Sequence, residues 1–183
     1  RRPPEAPEEP RAQLDALARP HLPAEAHAPH LAQVAAESAR IRLGVRVIEL
    51  GCGLGLPVLV AAARGAFVVA ADWKREPLHF ARASAELNGR HLEVVQMDWT
   101  APALRRSFDI CLGADVGYDA GAESALVSAV VHLLRPGGTV WLADSVNAHR
   151  SGLMDGLKAA GLDLTVAWRK EEDEGRPVWV RLI

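Results

Sequence analysis

The sequence predicts an α/β protein, a doubly wound and mostly parallel sheet with helices on both faces that ends in an antiparallel hairpin. From Val45 onward, apolar strand-like runs alternate with helical patterns, and this alternation is typical of parallel sheets. The last two strand-like segments are joined by a short charged loop that is too short for a crossover helix, so they must be antiparallel. A length of 183 residues fits one domain.

The N-terminal region differs in composition from the rest of the chain. Six prolines, mixed with Arg and Glu, fall within the first 23 residues, so we expect residues 1–10 to form a flexible tail. Residues 11–183 are then a single domain, in which 11–40 form capping helices and 41–183 form the sheet core. The expected helices of the first part are Ala12–Ala18 and Ala24–Ala39, where apolar residues recur at helical spacing.

The core elements follow in order along the chain. The predicted strands are 45–50, 67–71, 92–96, 108–113 and 138–143. The predicted helices are 56–64, 76–88, 120–134 and 150–160, the last two ended by Pro136-Gly137-Gly138 and by Gly161. The closing hairpin combines Leu162–Arg169 with Val178–Ile183, and the charged stretch between them is expected to be a loop.

Composition disfavours several classes of function. A net charge of −2 gives no electrostatic reason to expect nucleic-acid binding. Two cysteines give no disulfide framework, and neither a membrane-length apolar run nor a signal-peptide core is present, so we expect a soluble cytoplasmic protein. The histidines at 21, 27 and 30 lack a nearby Cys or Asp to complete a ligand set, so no metal site is predicted.

Residues 47–57, Val-Ile-Glu-Leu-Gly-Cys-Gly-Leu-Gly-Leu-Pro, are the most informative stretch. Gly51, Gly53 and Gly55 follow an apolar strand and would let the backbone turn sharply and approach a ligand closely. A dinucleotide-binding turn needs its third glycine at position 56, which is Leu56 here. The spacing therefore indicates a nucleoside cofactor and disfavours a nicotinamide-dependent oxidoreductase.

Acidic residues follow three further strands. Asp72 lies 21 residues after Gly51, the spacing at which a carboxylate reaches ribose hydroxyls. Trp73 either stacks on a base or covers apolar surface at the edge of a helix. Asp98 in Met-Asp-Trp-Thr either binds an adenine amine or caps a helix. The fourth strand is followed by Asp115 in Gly-Ala-Asp-Val-Gly-Tyr-Asp.

These motifs resemble a known family. The pattern E-x-G-x-G-x-G is similar to motif I of class I S-adenosylmethionine-dependent methyltransferases, which have a Rossmann-like fold. The runs D-W-T, G-A-D-x-x-Y-D and L-L-R-P-G-G resemble the family 16 seven-strand branch, which includes protein lysine methyltransferases. The likeness covers residues 42–144. It implies S-adenosylmethionine as cofactor and methyl transfer to an amine nitrogen, most simply a protein lysine.

The resemblance also implies residue roles. Glu49 and Asp115 would face the methionine end of the cofactor. Asp115 and Tyr118 are the candidate catalytic residues, which would orient the acceptor amine and accept a hydrogen bond from it. In the alternative interpretation, Asp115 binds the cofactor and Tyr118 has only a packing role. The complete set of implied cofactor-binding positions is Glu49, Gly51, Cys52, Gly53, Gly55, Asp72, Trp73, Asp98, Trp99 and Ala114.

One position departs from the family pattern. Family members usually carry a Trp near the start of the capping helix, and Glu25 stands there in this chain. The change alters part of the cofactor lid or substrate entrance. Three functions stay open: a protein lysine methyltransferase, a small-molecule N-methyltransferase, and a cofactor-binding scaffold without turnover. The partner is accordingly a protein or small-molecule methyl acceptor.

Overall fold

The structure, a computed structural model, describes residues 28–117, 121–145, 151–173 and 176–183. Within these residues a seven-stranded sheet is flanked by five helices, which confirms the α/β prediction. The strands are β1 Arg46–Leu50, β2 Phe67–Asp72, β3 Glu93–Gln96, β4 Phe108–Ala114, β5 Leu134–Ser145, β6 Ala167–Asp173 and β7 Arg176–Leu182. The helices are α1 Ala28–Glu37, α2 Leu56–Ala63, α3 Arg75–Leu87, α4 Glu123–Leu133 and α5 Ser151–Ala159.

The sheet has the order β3-β2-β1-β4-β5-β7-β6. Strands β1 to β5 are parallel, and β7 pairs antiparallel with both β5 and β6. Chain order reverses between β1 and β4, and ligands of open α/β sheets bind beside such a reversal, at the carboxyl ends of the strands. We call this edge the carboxyl end of the sheet and the opposite edge the amino end.

Two apolar layers cover the sheet. Helices α1, α2 and α3 bury one face, with Ala35, Leu59 and Ala81 among the buried contacts. Helices α4 and α5 bury the other face, with Leu126 and Leu157 fully inside. Because β1 is covered on both faces, Val47 and Ile48 are each fully buried although they point in opposite directions.

Arg64 of α2 fixes α1 to the core. Its Nε donates to the carbonyl oxygen of Ile41 at 3.0 Å, and its Nη1 donates to that of Ala36 at 2.5 Å. Backbone carbonyls at the end of a helix lack partners within the helix, so this side chain satisfies one of them. Helix α1 thus covers part of the helix predicted at Ala24–Ala39, and its role as a cap of the cofactor site stays a prediction. The tail, the helix at 12–18 and Glu25 lie outside the described residues.

The predicted start of β5 is wrong. Pro136-Gly137-Gly138 was expected to separate helix from strand, but the strand begins at Leu134 and includes all three residues. The pairing with β4 shifts register between Phe108 and Ile110, which accommodates the irregular segment. Pro136 has no N–H to donate to the neighbouring strand, so we expect the regular pairing of β4 and β5 to be interrupted beside it.

The predicted hairpin bounds are also wrong. The first strand begins at Ala167 instead of Leu162 and continues to Asp173, so most of the charged stretch belongs to strands. Backbone pairing runs from Ala167 opposite Leu182 to Asp173 opposite Arg176. The strand pairing continues through these charged residues because its hydrogen bonds join backbone groups and do not depend on the side chains. The other strands and helices lie within four residues of their predicted bounds, and no described helix is long and apolar enough to cross a membrane.

Candidate cofactor and methyl-acceptor site

The predicted glycine turn lies at the carboxyl end of β1. Gly51, Gly53 and Gly55 have φ angles of +61°, +51° and +73°, a left-handed backbone that favours glycine. The Gly55 amide donates to the Cys52 carbonyl at 2.7 Å, and the Cys52 amide donates to the Ala71 carbonyl of β2 at 3.0 Å. The turn is thus closed on itself and fixed to the neighbouring strand.

Two of these glycines are required for a second reason, which is close packing. A Cβ at Gly51 would lie 2.9 Å from Val116 Cγ1, and one at Gly55 would lie 2.9 Å from the Cβ of Ala81. Sequence reasoning missed both neighbours. Gly113 is equally enclosed, because a Cβ there would lie 2.8 Å from Val116 Cγ2. The turn therefore depends on small residues at 81 and 113 and on Val116 beside it.

Glu49 supports the turn from inside the protein. Its side chain is 1% exposed, and Oε2 accepts a hydrogen bond from the Val58 amide in the first turn of α2 at 3.0 Å. The N-terminal N–H groups of a helix lack partners within the helix and favour negative charge. The described contact thus connects Glu49 to the helix that follows the turn, whereas the resemblance implied that Glu49 faces the methionine end of the cofactor.

Asp72 ends β2 beside the glycine turn, and Trp73 follows it. Asp72, at the end of β2, is 7% exposed and accepts from the Gly53 amide at 3.3 Å and from the Lys74 amide at 3.0 Å. The carboxylate is therefore positioned directly over the glycine turn. The Trp73 side chain is 63% exposed, and Lys74 Nζ lies 4.9 Å from its ring centroid. The exposed Trp73 ring can stack on one face of an adenine, and the buried Asp72 carboxylate can accept hydrogen bonds from two ribose hydroxyls.

Asp98 and Trp99 follow β3. Asp98 Oδ1 accepts from both the amide and the hydroxyl of Thr100, each at 2.8 Å, and these hydrogen bonds hold the pKa of Asp98 below its ordinary value. The segment 97–107 contains no helix, so Asp98 caps a turn and not a helix. Trp99 is half-buried, and its Cζ2 would lie 3.6 Å from a Cβ at Gly51. Trp99 therefore lies beside the glycine turn, and the binding of adenine by Asp98 and Trp99 stays a prediction.

Asp115 lies at the carboxyl end of β4. Ala114 is the last residue of that strand, and Asp115 follows with its amide donating to the Ala143 carbonyl of β5 at 2.9 Å. Its φ is +53°, and it is the one non-glycine residue among the described residues with a left-handed backbone. Such strain is uncommon and is concentrated at functional sites. Tyr118 lies outside the described residues.

The cysteines have no catalytic environment. Cys52 and Cys111 form no disulfide bond, and both are buried. Burial, reinforced by the nearby Glu49 carboxylate, raises the pKa of Cys111, so this thiol is protonated and a poor nucleophile. No group of three or more His, Cys, Asp or Glu side chains suited to a metal ion occurs among the described residues.

Comparison with known proteins identifies the family. A sequence profile of the methyltransferase domain matches residues 47–138, which is about half of the chain and includes every described site element from Glu49 to Asp115. The chain belongs to this methyltransferase family. Its cofactor is S-adenosylmethionine, and the exposed Trp73 ring, the Asp72 carboxylate and the left-handed glycine turn fit an adenosyl group.

Curated relatives of this methyltransferase domain are named ubiquinone biosynthesis O-methyltransferase. The protein of Dinoroseobacter shibae is 32% identical over 128 residues, which cover 68% of this chain and 50% of the relative. That of Sinorhizobium medicae is 32% identical over 130 residues, covering 68% and 47% respectively. The chain thus spans about half the length of the curated relatives it matches.

Solved structures of methyltransferases share the fold. The precorrin-6y C5,15-methyltransferase of Geobacter metallireducens aligns with a TM-score of 0.65 at 16% identity, covering 84% of this chain and 86% of its own. A TehB-like S-adenosylmethionine-dependent methyltransferase of Corynebacterium glutamicum aligns with a TM-score of 0.62 at 14% identity, covering 94% and 92%. At such identities the likeness concerns the fold, and it confirms the class I methyltransferase architecture predicted from the sequence.

Proposed function

We propose that this protein transfers a methyl group from S-adenosylmethionine to the nitrogen of an amine, with Asp115 positioned to receive the acceptor. The observation that carries the proposal is the half-buried carboxylate of Asp115, which directly follows β4 with a left-handed backbone, at the same end of the sheet as the glycine turn. A protein lysine side chain and a small-molecule amine present the same chemistry to this carboxylate.

The balance of charge in the reaction favours nitrogen as the methyl acceptor. The bound cofactor supplies an electrophilic methyl group on a sulfonium sulfur. An amine that accepts methyl gains a positive charge on nitrogen, and a nearby carboxylate stabilises that developing charge. The same carboxylate attracts the protonated amine into the site, and the amine must then lose a proton before it can react.

The alternative acceptor is a small-molecule hydroxyl group. The shared name of the curated relatives, at 32% identity over 128 residues, favours this alternative. A phenolic acceptor reacts as its anion, and a neighbouring carboxylate would raise the pKa of the phenol and so disfavour that anion. Asp115 would then hinder the reaction instead of assisting it.

The replacement Asp115→Asn separates the two acceptor classes. Labelled S-adenosylmethionine is incubated with the protein and with a cell extract divided into macromolecules and small molecules, and labelled products are identified by mass spectrometry. N-methyl products that fall strongly in Asp115→Asn are expected. O-methyl products that are unchanged or increased in this variant would contradict the amine and favour the hydroxyl acceptor.

The macromolecular and small-molecule fractions distinguish lysine from metabolite acceptors. Labelled methyl-lysine in protein hydrolysates would support the lysine branch that the sequence resembles. Cofactor binding by calorimetry without any labelled product in either fraction would contradict the proposal and leave a cofactor-binding scaffold.

A further inference from the structure

Three arginines line one cleft at the amino end of the sheet. Arg40 precedes β1, Arg106 precedes β4, and Arg135 lies near the start of β5. The cleft has a volume of about 690 Å³, within the range of small-molecule sites. The three arginines lie at the amino end, whereas the glycine turn follows the carboxyl end of β1, a five-residue strand that is about 16 Å long. The cleft extends from the arginines along β5 as far as Trp141.

The cleft exists because β5 is only partly paired on one side. The ladder with β7 covers Ala143 to Ser145, and one further pair of backbone hydrogen bonds joins Leu142 to Ile183. Within the described residues no strand lies beside this side of β5 between Gly138 and Trp141, and the segment 160–165 forms the opposite wall. A Cβ at Gly137 would meet nothing within 4 Å, whereas one at Gly138 would lie 3.0 Å from the Arg135 carbonyl oxygen, so the cleft is open at the first of these glycines and closely packed at the second.

The arginine charges in the cleft are only partly neutralised. Arg135 forms an ion pair with Asp109, which also accepts from the Arg46 amide at 2.7 Å. Arg40 donates to the Thr139 hydroxyl at 2.5 Å and Arg106 donates to the Val131 carbonyl at 3.1 Å, so their described acceptors are neutral. These hydrogen bonds orient two guanidinium groups without cancelling their charge. The one acidic side chain among the lining residues is the exposed Asp163.

The remaining walls are apolar. They combine one aromatic ring with aliphatic side chains, and these residues are Trp141, Leu134, Val140, Leu162, Leu164 and Ile183. A ligand that fits both parts of the cleft therefore needs an anionic group and an apolar body. Guanidinium groups match the geometry of phosphate oxygens, and a dianion balances two uncompensated arginines better than a single carboxylate does.

We propose that this arginine cleft is a second ligand site, which binds a small phosphate monoester with an apolar or aromatic body. The site is independent of the proposed methyl transfer, because it shares no residue with the glycine turn or with Asp115. Phosphate and carboxylate ligands use the same arginines, so the experiment includes both.

Phenyl phosphate is the probe, titrated by calorimetry into protein saturated with S-adenosylhomocysteine so that the adenosyl site is blocked. We expect it to bind more tightly than inorganic phosphate, phenol or benzoate, because only phenyl phosphate offers both the dianion and the ring. Arg106→Gln should weaken its binding about tenfold, the value of one charge-assisted hydrogen bond.

Arg105→Gln is the matched control, because Arg105 is the adjacent exposed arginine, does not line the cleft and carries the same charge. The affinity of the Arg105→Gln variant for phenyl phosphate should equal that of the parent protein. Arg40→Gln provides a second cleft variant, and thermal unfolding checks that each variant is folded. No binding of phenyl phosphate, equal weakening by the 105 and 106 variants, or tighter binding of benzoate would each overturn the proposal.

Discussion

At the carboxyl end of the sheet, a methyl group added to Gly51 or Gly55 would lie 2.9 Å from a neighbouring side chain. At the amino end, one added to Gly137 would meet nothing within 4 Å. The carboxyl end positions its acids by backbone amides in tight turns, whereas the amino end orients two of its arginines through neutral acceptors. The carboxyl end is therefore closely packed at both of these glycines, whereas the amino end is open at Gly137 and closely packed at Gly138, where a Cβ would lie 3.0 Å from the Arg135 carbonyl oxygen.

The largest expected effect tests the tightness of the glycine turn. Gly51→Ala places a Cβ against Val116 and forces a left-handed backbone on alanine, so we expect a loss of about 2–4 kcal/mol in the free energy of unfolding. Cofactor binding should be lost with it. Urea denaturation and calorimetry measure the two effects.

Gly89→Ala is the control for backbone strain alone. Gly89 has a φ of +62°, close to the +61° of Gly51, and a Cβ there would meet nothing within 4 Å. We expect the free energy of unfolding to fall by about 1–2 kcal/mol and the cofactor affinity to be unchanged. Equal losses of unfolding free energy in Gly51→Ala and Gly89→Ala would contradict the inference that close packing at Gly51 requires glycine.

The next effect tests whether the carboxyl end has a reactive group. Asp115→Asn keeps the size of the side chain but removes the charge that stabilises a methylated nitrogen, so we expect kcat to fall about 100-fold. Cofactor affinity should change little. Asp155→Asn, on the exposed surface of α5, removes the same charge and should leave kcat unchanged; a comparable fall there would indicate a general charge effect.

A smaller effect concerns cofactor affinity. The Gly53 and Lys74 amides donate to different oxygens of Asp72, so Asp72→Asn keeps the acceptor of one amide and loses that of the other together with the charge offered to ribose. We expect about tenfold weaker binding of S-adenosylhomocysteine. The exposed Glu86 of α3 offers a charge-matched control, and Glu86→Gln should bind normally. An unchanged dissociation constant in Asp72→Asn would separate this carboxylate from the cofactor.

The smallest effect is electrostatic and local. Thr100→Ala removes one of the two hydrogen bonds that hold the pKa of Asp98 below 3.8, so the pKa should rise towards that value. A lowered folded-state pKa adds stability that is fully present above the unfolded pKa and is lost as pH falls through the folded pKa, so the difference in stability between parent and variant is present at neutral pH and disappears in acid. Carbon NMR titration of the carboxyl group measures the pKa, and an unaltered titration would contradict the described turn.

Local signals predicted most of the carboxyl end from the sequence. The spacing of Gly51, Gly53 and Gly55 predicted a turn that the φ angles confirm, and Asp72 lies over that turn as expected from its separation along the chain. The orientation of Glu49 was not predictable. Because β1 is buried on both faces, its apolar pattern does not reveal where a single acidic side chain points.

The amino end could not be predicted in the same way. Arg40, Arg106 and Arg135 are far apart in sequence and meet only because parallel strands begin side by side. The start of β5 was predicted wrongly for a related reason, since pairing with β4 continues through a Pro-Gly-Gly sequence that locally suggests a break. The family resemblance supplied the cofactor and, through the Gly-Ala-Asp-x-x-Tyr-Asp run, the candidate acceptor residue Asp115.

The partial pairing between β5 and β7 also has a consequence for folding cooperativity. The terminal hairpin is attached to the parallel sheet by three register pairs and one pair of backbone hydrogen bonds, whereas its own two strands pair over seven positions. Such a unit can open as one body while the parallel strands stay closed. Amide hydrogen exchange should therefore distinguish two subglobal units, with residues 167–183 exchanging as a group before β1 and β4.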